Sequence, residues 1–185
     1  MKEKTAELIA QLRSNAVEAF DRLIEQYGDR LYWHIRRVVV SHEETEDVLQ
    51  ETFARAYTSI ADFRGDTESS LIAWLYKIAT NIAITALRKQ KRWAFASLDS
   101  VRGNLLATFE QEVEPSADEI VVRLQKAILA LPTKQRLVFN MRYYDELSFE
   151  QISKATGQSV STLKTNYHYA VKKIREQIGV IEIEN

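Results

Sequence analysis

The sequence contains no cysteine among its 185 residues. A disulfide framework and a thiolate metal site are therefore excluded, and the composition fits a reducing cytoplasm. Only two prolines and five glycines are present, and this scarcity of helix-breaking residues favours a helix-dominated fold. The histidines His34, His42 and His168 lie far apart in the sequence, so we expect neither a metal site nor a cofactor.

A long apolar run is also missing after the N-terminus of the sequence. The N-terminal segment is polar and leads into no hydrophobic stretch, so neither a signal peptide nor membrane insertion is predicted. Hydrophobic residues make up 45% of the chain, which is ordinary for a globular protein. We expect one domain or two small domains in a cytoplasmic protein.

The net charge of −1 conceals a strong partition along the chain. Residues 1–68 carry nine basic and fourteen acidic side chains, whereas residues 69–98 carry five basic side chains and no acid. Residues 99–119 hold one base and six acids, and residues 120–185 hold ten bases and six acids. Two basic blocks predict two nucleic-acid faces, because the acidic stretch between them is repelled by phosphates.

The first half of the chain shows helical periodicity in three stretches. We predict three helices around one core, in a domain that spans residues 1–92. Ser41 and Glu44 have the spacing of a capping box at the start of the second helix. A loop over residues 60–69 separates the second helix from the third. The predicted helices cover residues 16–40, 42–59 and 70–92.

The periodicity is lost after the first domain. Residues 93–115 are therefore predicted to be a linker, and residues 116–185 a second small helical domain. Ser116 and Glu119 are predicted to cap the first helix of that domain, which Pro132 ends. The chain is thus expected to be all-α, with two small helical domains joined by a linker.

Residues 147–175 carry the pattern of a helix-turn-helix. Ser148 and Gln151 have the spacing of a capping box for the first helix. Gly157 lies in the turn, where it can adopt a positive φ, and Ser159 is predicted to cap the second helix. An element of this kind places its second helix in the major groove of duplex DNA.

The second helix of this pattern has two different faces. One is an apolar stripe that includes Val160, Leu163 and Tyr167, and it is predicted to pack inwards. A helical hairpin with a solvated basic face would share these charges, but the caps, the glycine and the charge segregation together favour DNA binding. The opposite face carries side chains that can contact bases or phosphates, namely Ser161, Thr162, Lys164, Thr165, His168 and Lys172.

The second predicted helix places three polar side chains on one face. Asp47, Gln50 and Glu51 share this face, and Phe53 lies towards the other. An acidic face beside a packed aromatic ring suits docking onto a basic protein surface. Taken alone, however, this segment is better explained as a solvated amphipathic helix.

Five motifs follow one another along the chain, and their order removes this ambiguity. Over residues 16–175 the chain resembles the extracytoplasmic-function (ECF) sigma factors, a branch of the bacterial sigma-70 family. The resemblance implies a region 2-like domain and a region 4-like domain. The motifs are Asp47-x-x-Gln-Glu-Thr-Phe53, the Phe63–Asp66 loop, the Ala73–Ala83 helix, the Leu131–Phe139 segment and the helix-turn-helix.

The resemblance implies that the chain binds core RNA polymerase and promotes transcription initiation at promoters with −10 and −35 elements. Asp47, Gln50 and Glu51 match the helix face that binds the clamp helices of the polymerase β′ subunit. The unpaired −10 element is expected to contact Phe63, Arg64, Lys77, Asn81 and Arg88. The −35 element is expected to contact Ser161, Thr162, Lys164, Thr165, His168 and Lys172.

The implied partners are core RNA polymerase, through its β′ clamp helices and β flap, and promoter DNA. An anti-sigma factor is a further partner that the resemblance suggests, since relatives are often held inactive by one. No catalytic residue is implied, because nucleotide addition belongs to the polymerase.

Two other classes of protein compete with this interpretation. A helix-turn-helix regulator that binds duplex DNA without polymerase is the second hypothesis, but it leaves the Gln50–Phe53 helix and the first basic block unexplained. A nucleic-acid enzyme is the third hypothesis. The sequence shows neither paired carboxylates with metal spacing nor a nucleophile constellation to support it.

Overall fold

The structure is a computed structural model that describes residues 2–14, 17–93, 98–113 and 118–179. Over these residues the regular secondary structure is helical and includes no β-strand, in agreement with the predicted all-α class. A short 3-10 turn, Ile60–Asp62, follows the third helix. The helices are α1 (Lys2–Arg13), α2 (Val17–Val39), α3 (His42–Ser59), α4 (Glu68–Trp93), α5 (Leu98–Glu112), α6 (Glu119–Leu129), α7 (Thr133–Tyr143), α8 (Phe149–Thr156) and α9 (Val160–Ile178).

The first domain contains one helix more than the three that the sequence predicts. Helices α2 and α3 agree with the predicted bounds to within one residue. Helix α1 is additional, and its Leu8, Ile9 and Leu12 are buried where it packs against α2. Three apolar residues form too short a stripe for periodicity to distinguish this helix from a polar N-terminal segment.

Helix α4 is the central helix of the first domain. It contacts α2 and α3 of its own domain and α8 of the second domain. Its Glu68–Lys89 stretch is long and apolar enough to cross a membrane by length and composition, but half of the apolar window is buried inside the protein. These contacts are those of a core helix, and its fully buried side chains include Leu71, Leu75, Ala79 and Ala83.

The predicted linker of residues 93–115 contains helix α5, whose presence the loss of periodicity does not predict. Leu105 of α5 is buried, and the helix contacts both α4 and α6. Lys126 Nζ of α6 lies 2.7 Å from Glu110 Oε1 of α5. A short helix of this kind depends on packing against its neighbours more than on its own periodicity.

The second domain comprises α6 to α9. The Asp118 carboxylate accepts a hydrogen bond from the Ile120 N–H at 2.7 Å and caps α6. This corrects the predicted cap at Ser116, a residue that lies outside the described ranges. Pro132 precedes α7, which ends at Tyr143.

The two domains pack directly against each other through α4 and α8. Ile152 and Ala155 of α8 belong to the same buried cluster as Ala83 and Leu87 of α4. The sequence predicts two domains joined by a linker, but it does not predict this contact. An apolar stripe indicates that a helix face is covered, and it carries no information about which distant helix covers it.

A polar cluster lies at the edge of the contact between the domains. Asp145, in the turn between α7 and α8, accepts a hydrogen bond from Arg37 at 2.8 Å, and its other oxygen lies 2.8 Å from His34 Nδ1. Nε2 of His34 lies 3.0 Å from the Thr80 hydroxyl oxygen of α4. The imidazole ring therefore joins α2, α4 and the α7–α8 turn, and both His34 and Asp145 are buried.

Candidate nucleic-acid interface

The helix-turn-helix has the caps that its sequence predicts. The Ser148 hydroxyl accepts a hydrogen bond from the Gln151 N–H at 3.1 Å, and the Gln151 side-chain oxygen accepts one from the Ser148 N–H at 2.8 Å. Gly157 ends α8 at a φ of 72°, a conformation that disfavours residues with a Cβ. The Ser159 hydroxyl caps α9 by accepting from the Thr162 N–H at 3.1 Å.

Helix α9 packs through the predicted apolar stripe, in which Leu163 and Ala170 are fully buried. The six residues predicted to contact the −35 element are all exposed on the other side of the helix. Their side chains are therefore accessible, and the structure brings them together as one surface, formed by Ser161, Thr162, Lys164, Thr165, His168 and Lys172.

The two threonine hydroxyls of this surface already make hydrogen bonds within α9. Thr162 Oγ1 lies 2.8 Å from Ser159 Oγ, and the Thr165 hydroxyl donates to the Ser161 carbonyl oxygen at 3.1 Å. Because its proton is used in this way, Thr165 offers DNA an acceptor oxygen and a methyl group. An acceptor suits the amino groups of adenine and cytosine, and a methyl group suits the thymine methyl.

Lys164 lies beside the first turn of α8. Its Nζ is 5.9 Å from the centre of the Phe149 ring, and the Arg142 guanidinium carbon is 5.6 Å from the same centre. The Glu150 backbone N–H and the Ser148 hydroxyl lower the pKa of the Glu150 carboxyl, and the charge of Lys164 adds to the effect. The ionised Glu150 carboxylate therefore attracts Lys164 towards α8.

Helix α3 presents the predicted docking face to solvent. Asp47, Gln50 and Glu51 are exposed, whereas Val48 and Phe53 on the other side are buried. The helical arrangement predicted from the sequence is therefore present. Its two carboxylates and one amide form a surface that is complementary in charge to a basic partner.

A groove of about 530 Å³ separates α3 from α4. Asp47 and Glu51 lie on the α3 wall, and Asn81 lies on the α4 wall. Two residues predicted for polymerase binding and one predicted for the −10 element therefore share one groove. Gln50 is exposed next to it but does not line it. The floor is apolar and consists of Val48, Ile78, Ile82 and Ala86.

Four further polar residues line the groove and were not among the predicted site residues. They are Glu44 and Arg55 on α3 and Thr85 and Lys89 on α4. Helical spacing contained the signal, since Thr85 and Lys89 follow Asn81 by four and eight positions and therefore lie near the same face. What the spacing could not show is that this face lies opposite α3.

The other residues predicted for the −10 element occupy different positions. Lys77 and Arg88 are exposed on the same side of α4 as Asn81, and we call these three residues the α4 ridge. Arg64 is exposed in the loop before α4, where it donates to the Ala61 carbonyl oxygen at 3.0 Å. These four side chains are accessible to a nucleic-acid strand.

Phe63 does not share this exposure, and its predicted contact with DNA is corrected. Only 5% of its surface is exposed, and its ring centre lies 5.0 Å from that of Trp74. Burying a side chain of this size stabilises the fold by about 2 kcal/mol, which holds the ring inside. Phe63 therefore supports the loop from beneath, and Trp74 packs against the core.

Comparisons with known families match both domains. The family described as Sigma-70 region 2 matches residues 23–92, and the family described as Sigma-70, region 4 matches residues 122–174. The ECF RNA polymerase sigma factor SigW of Bacillus subtilis is 33% identical over 178 residues, covering 92% of this chain and 94% of the relative. The RNA polymerase sigma-H factor of Pseudomonas aeruginosa is 29% identical over 182 residues, covering 93% and 92%.

Two solved structures share the fold across both domains. CnrH in complex with the cytosolic domain of CnrY has a TM-score of 0.68 at 21% identity, covering 96% of this chain and 98% of that one. The sigma factor RpoE in complex with the anti-sigma factor NepR, from Bartonella quintana, has a TM-score of 0.69 at 18% identity, covering 90% and 100%. At these identities the likeness establishes the fold.

A region 2 domain followed by a region 4 helix-turn-helix domain defines the promoter-recognising transcription initiation factors of the sigma-70 type. Within that class, the chain belongs to the extracytoplasmic-function RNA polymerase sigma factors. Its function is to recognise promoters for RNA polymerase and to promote transcription initiation. The competing hypothesis of a duplex-DNA regulator that acts without polymerase is not favoured.

Proposed function

We propose that promoter recognition is divided among three surfaces of this chain. The α3 face of Asp47, Gln50 and Glu51 binds the clamp helices of the polymerase β′ subunit. The α4 ridge, together with Arg64, holds the unpaired strand of the −10 element. The exposed face of α9 reads the −35 element in the major groove, and the second domain contacts the β flap.

The observation that carries this proposal is the charge difference across the groove between α3 and α4. The α3 wall carries three carboxylates and one base, whereas the α4 side carries Asn81 and Lys89, with Lys77 and Arg88 beyond. The charged residues of the α3 wall are Glu44, Asp47, Glu51 and Arg55. A phosphate backbone is attracted to the α4 side and repelled by the α3 wall. A basic protein surface has the opposite preference, so the groove separates the two partners.

The remaining assignments follow from the same division of tasks. We assign the region 2-like domain to residues 1–92 and the region 4-like domain to residues 116–185, connected by residues 93–115. The chain supplies no catalytic residue in this scheme and acts in the cytoplasm with the polymerase. The two solved relatives are bound by CnrY and by an anti-sigma factor, and we propose that an anti-sigma factor also controls this chain.

Replacing Asp47 and Gln50 by alanine should weaken association with core polymerase about tenfold or more, because polar anchors at interface centres carry much of the binding free energy. The fold should be preserved, since exposed substitutions change stability by only about 0.5 kcal/mol. The measurement is a binding titration with purified core polymerase. The matched control replaces Glu25 and Gln26, an exposed acid and amide on α2. Wild-type affinity in the Asp47–Gln50 variant would remove this face as the anchor.

Lys164→Ala and Thr165→Ala should each change the preferred −35 sequence, because base contacts set preference. Lys172→Ala should instead weaken binding at all sequences and lower the salt dependence by about one charge, because phosphate contacts are independent of sequence. Selection of promoters from a pool with a randomised −35 element checks this. An unchanged preference in both the Lys164 and the Thr165 variants would contradict their role as readers.

Replacing Asn81 and Arg88 by alanine should impair promoter opening, because an unstacked base costs a few kcal/mol that contacts to the strand must offset. Permanganate reactivity of unpaired thymines measures opening on a fully paired promoter and on one already mismatched over the −10 element. The mismatched template should partly rescue the variant. Equal opening by wild type and variant on both templates would leave the first domain as a polymerase anchor only.

A further inference from the structure

Arg13, the last residue of α1, connects this helix to the loop that precedes α4. Its guanidinium donates to the Gly65 carbonyl oxygen at 2.6 Å, and its central carbon lies 5.9 Å from the centre of the Phe63 ring. Gly65 lies 52 residues from Arg13 in the sequence, and Phe63 is almost as distant. Arg13 also lies outside residues 23–92, the segment matched by the region 2 family.

The loop is closely packed on the side that Arg13 contacts. A Cβ at Gly65 would lie 2.3 Å from Ser70 Oγ and 2.4 Å from the Phe63 ring, so the backbone touches both side chains. The Ser70 N–H donates to the Thr67 hydroxyl at 3.2 Å and the Thr67 N–H to the Ser70 hydroxyl at 3.1 Å. The rear of the loop is therefore fixed, while Arg64, Asp66 and Thr67 are exposed at the front.

We propose that Arg13 is a positioning residue for −10 recognition. By holding the Gly65 carbonyl, it fixes the position of the loop that precedes α4. The inference rests on the proposed role of the α4 ridge and its loop in holding the unpaired strand. The planar guanidinium of an arginine suits this role, because it can donate a hydrogen bond to a carbonyl oxygen while it lies against an aromatic ring. Helix α1 thereby becomes part of the promoter-reading apparatus, although its side chains do not contact the DNA.

The test measures opening rate and base preference across a −10 library for the full-length variants with core polymerase. Arg13→Ala should slow opening about tenfold and broaden the base preference at one −10 position, while Arg13→Lys should restore part of both. Arg22→Ala is the matched control, because Arg22 of α2 also bonds to α1 at Gln11 but does not contact the loop. It should leave the base preference unchanged.

A purely structural role for Arg13 predicts a different result. Arg13→Ala would then match Arg22→Ala in base preference, with or without a lower melting temperature, and that outcome would overturn the proposal. If the Asn81–Arg88 variant opens promoters normally, the role of the α4 ridge is wrong. If that variant fails to open promoters and Arg13→Ala opens them with wild-type preference, only the inference about Arg13 is wrong.

A second and independent inference comes from the polar cluster between the domains. Besides the contacts of its carboxylate with His34 and Arg37, the backbone oxygen of Asp145 accepts from Arg30 at 3.3 Å. Burial raises the pKa of the neighbouring Tyr76, and the charge of Asp145 adds to the effect. The Tyr76 phenol therefore stays neutral. Asp145 is an acid of the second domain, and basic side chains of α2 surround it.

The second domain also caps the C-terminus of α2. Asn140 donates to the Arg37 carbonyl oxygen and Arg136 to the Val38 carbonyl oxygen, each at 3.4 Å. The last carbonyls of a helix have no partner within it, so these donors satisfy groups that would otherwise face water. Val40 follows with a φ of 69°, an uncommon conformation for a β-branched residue, and it is buried.

The closed arrangement conflicts with simultaneous reading of two promoter elements. A compact chain of this length is roughly 40 Å across, whereas elements about 25 base pairs apart are separated by roughly 85 Å of duplex. The domains must therefore separate before α9 and the α4 ridge contact their elements together. We infer that Asp145, through His34 and Arg37 of α2, is the latch that holds the chain in the closed state.

Energy transfer between two dyes on the full-length chain tests the latch. Because the chain has no cysteine, single cysteines at the exposed positions Thr58 and Glu176 can carry the dyes. Transfer should be high in the wild type and fall when core polymerase is added. Asp145→Asn and Arg37→Gln should each lower the energy transfer measured without polymerase. They should also tighten the apparent binding of core polymerase about tenfold, because a larger fraction of the molecules is in the open state that binds it.

The matched control is Glu146→Gln, which removes the same charge at the neighbouring exposed position and should retain high transfer. Wild-type transfer that is already low, or high transfer in both Asp145→Asn and Arg37→Gln, would overturn the latch. If the Asp145→Asn variant loses helical content, the Arg37→Gln variant decides the outcome, because it alters the same contact from the first domain. Transfer without polymerase does not depend on the assigned polymerase contacts, so their failure is seen separately.

Discussion

The burial of helix α4 is the constraint on which the rest of the structure depends. Most of its circumference is apolar, and such a helix has to be covered on several sides. Helices α2 and α3 cover two sides and α8 of the second domain covers a third. The strip that remains open carries Lys77, Asn81 and Arg88, so the same packing that buries the helix exposes the residues proposed to hold DNA.

The position of α3 beside α4 gives the groove between them its two unlike walls. Asp47 and Glu51 face Asn81 across an apolar floor, so a protein partner and a nucleic-acid strand would bind within one groove. A surface that prefers a basic protein and one that prefers a nucleic-acid strand therefore lie close together. A shift of α3 against α4 would alter both surfaces.

Local features of this protein were predicted well from the sequence because they depend on residues close together in the chain. The caps at Ser148 and Ser159 and the turn at Gly157 involve partners within three or four positions. Long apolar stripes likewise predicted α2 and α3 to within about one residue. The ordered motifs identified the family, and the exposed face of α9 followed from helical geometry alone. The short stripes of α1 and α5 fell below what periodicity can detect.

The sequence by itself therefore determined the helices, their caps, their faces and the sigma factor family. Only the tertiary structure decided what each face meets. His34 and Asp145 lie more than a hundred residues apart, and no local pattern pairs them. The aromatic ring of Phe63 suits stacking on a nucleic-acid base, yet Trp74 and the loop bury it. Long-range packing selects one partner among many compatible apolar stripes and charges, because burial requires complementary shape and not merely hydrophobic or ionic character.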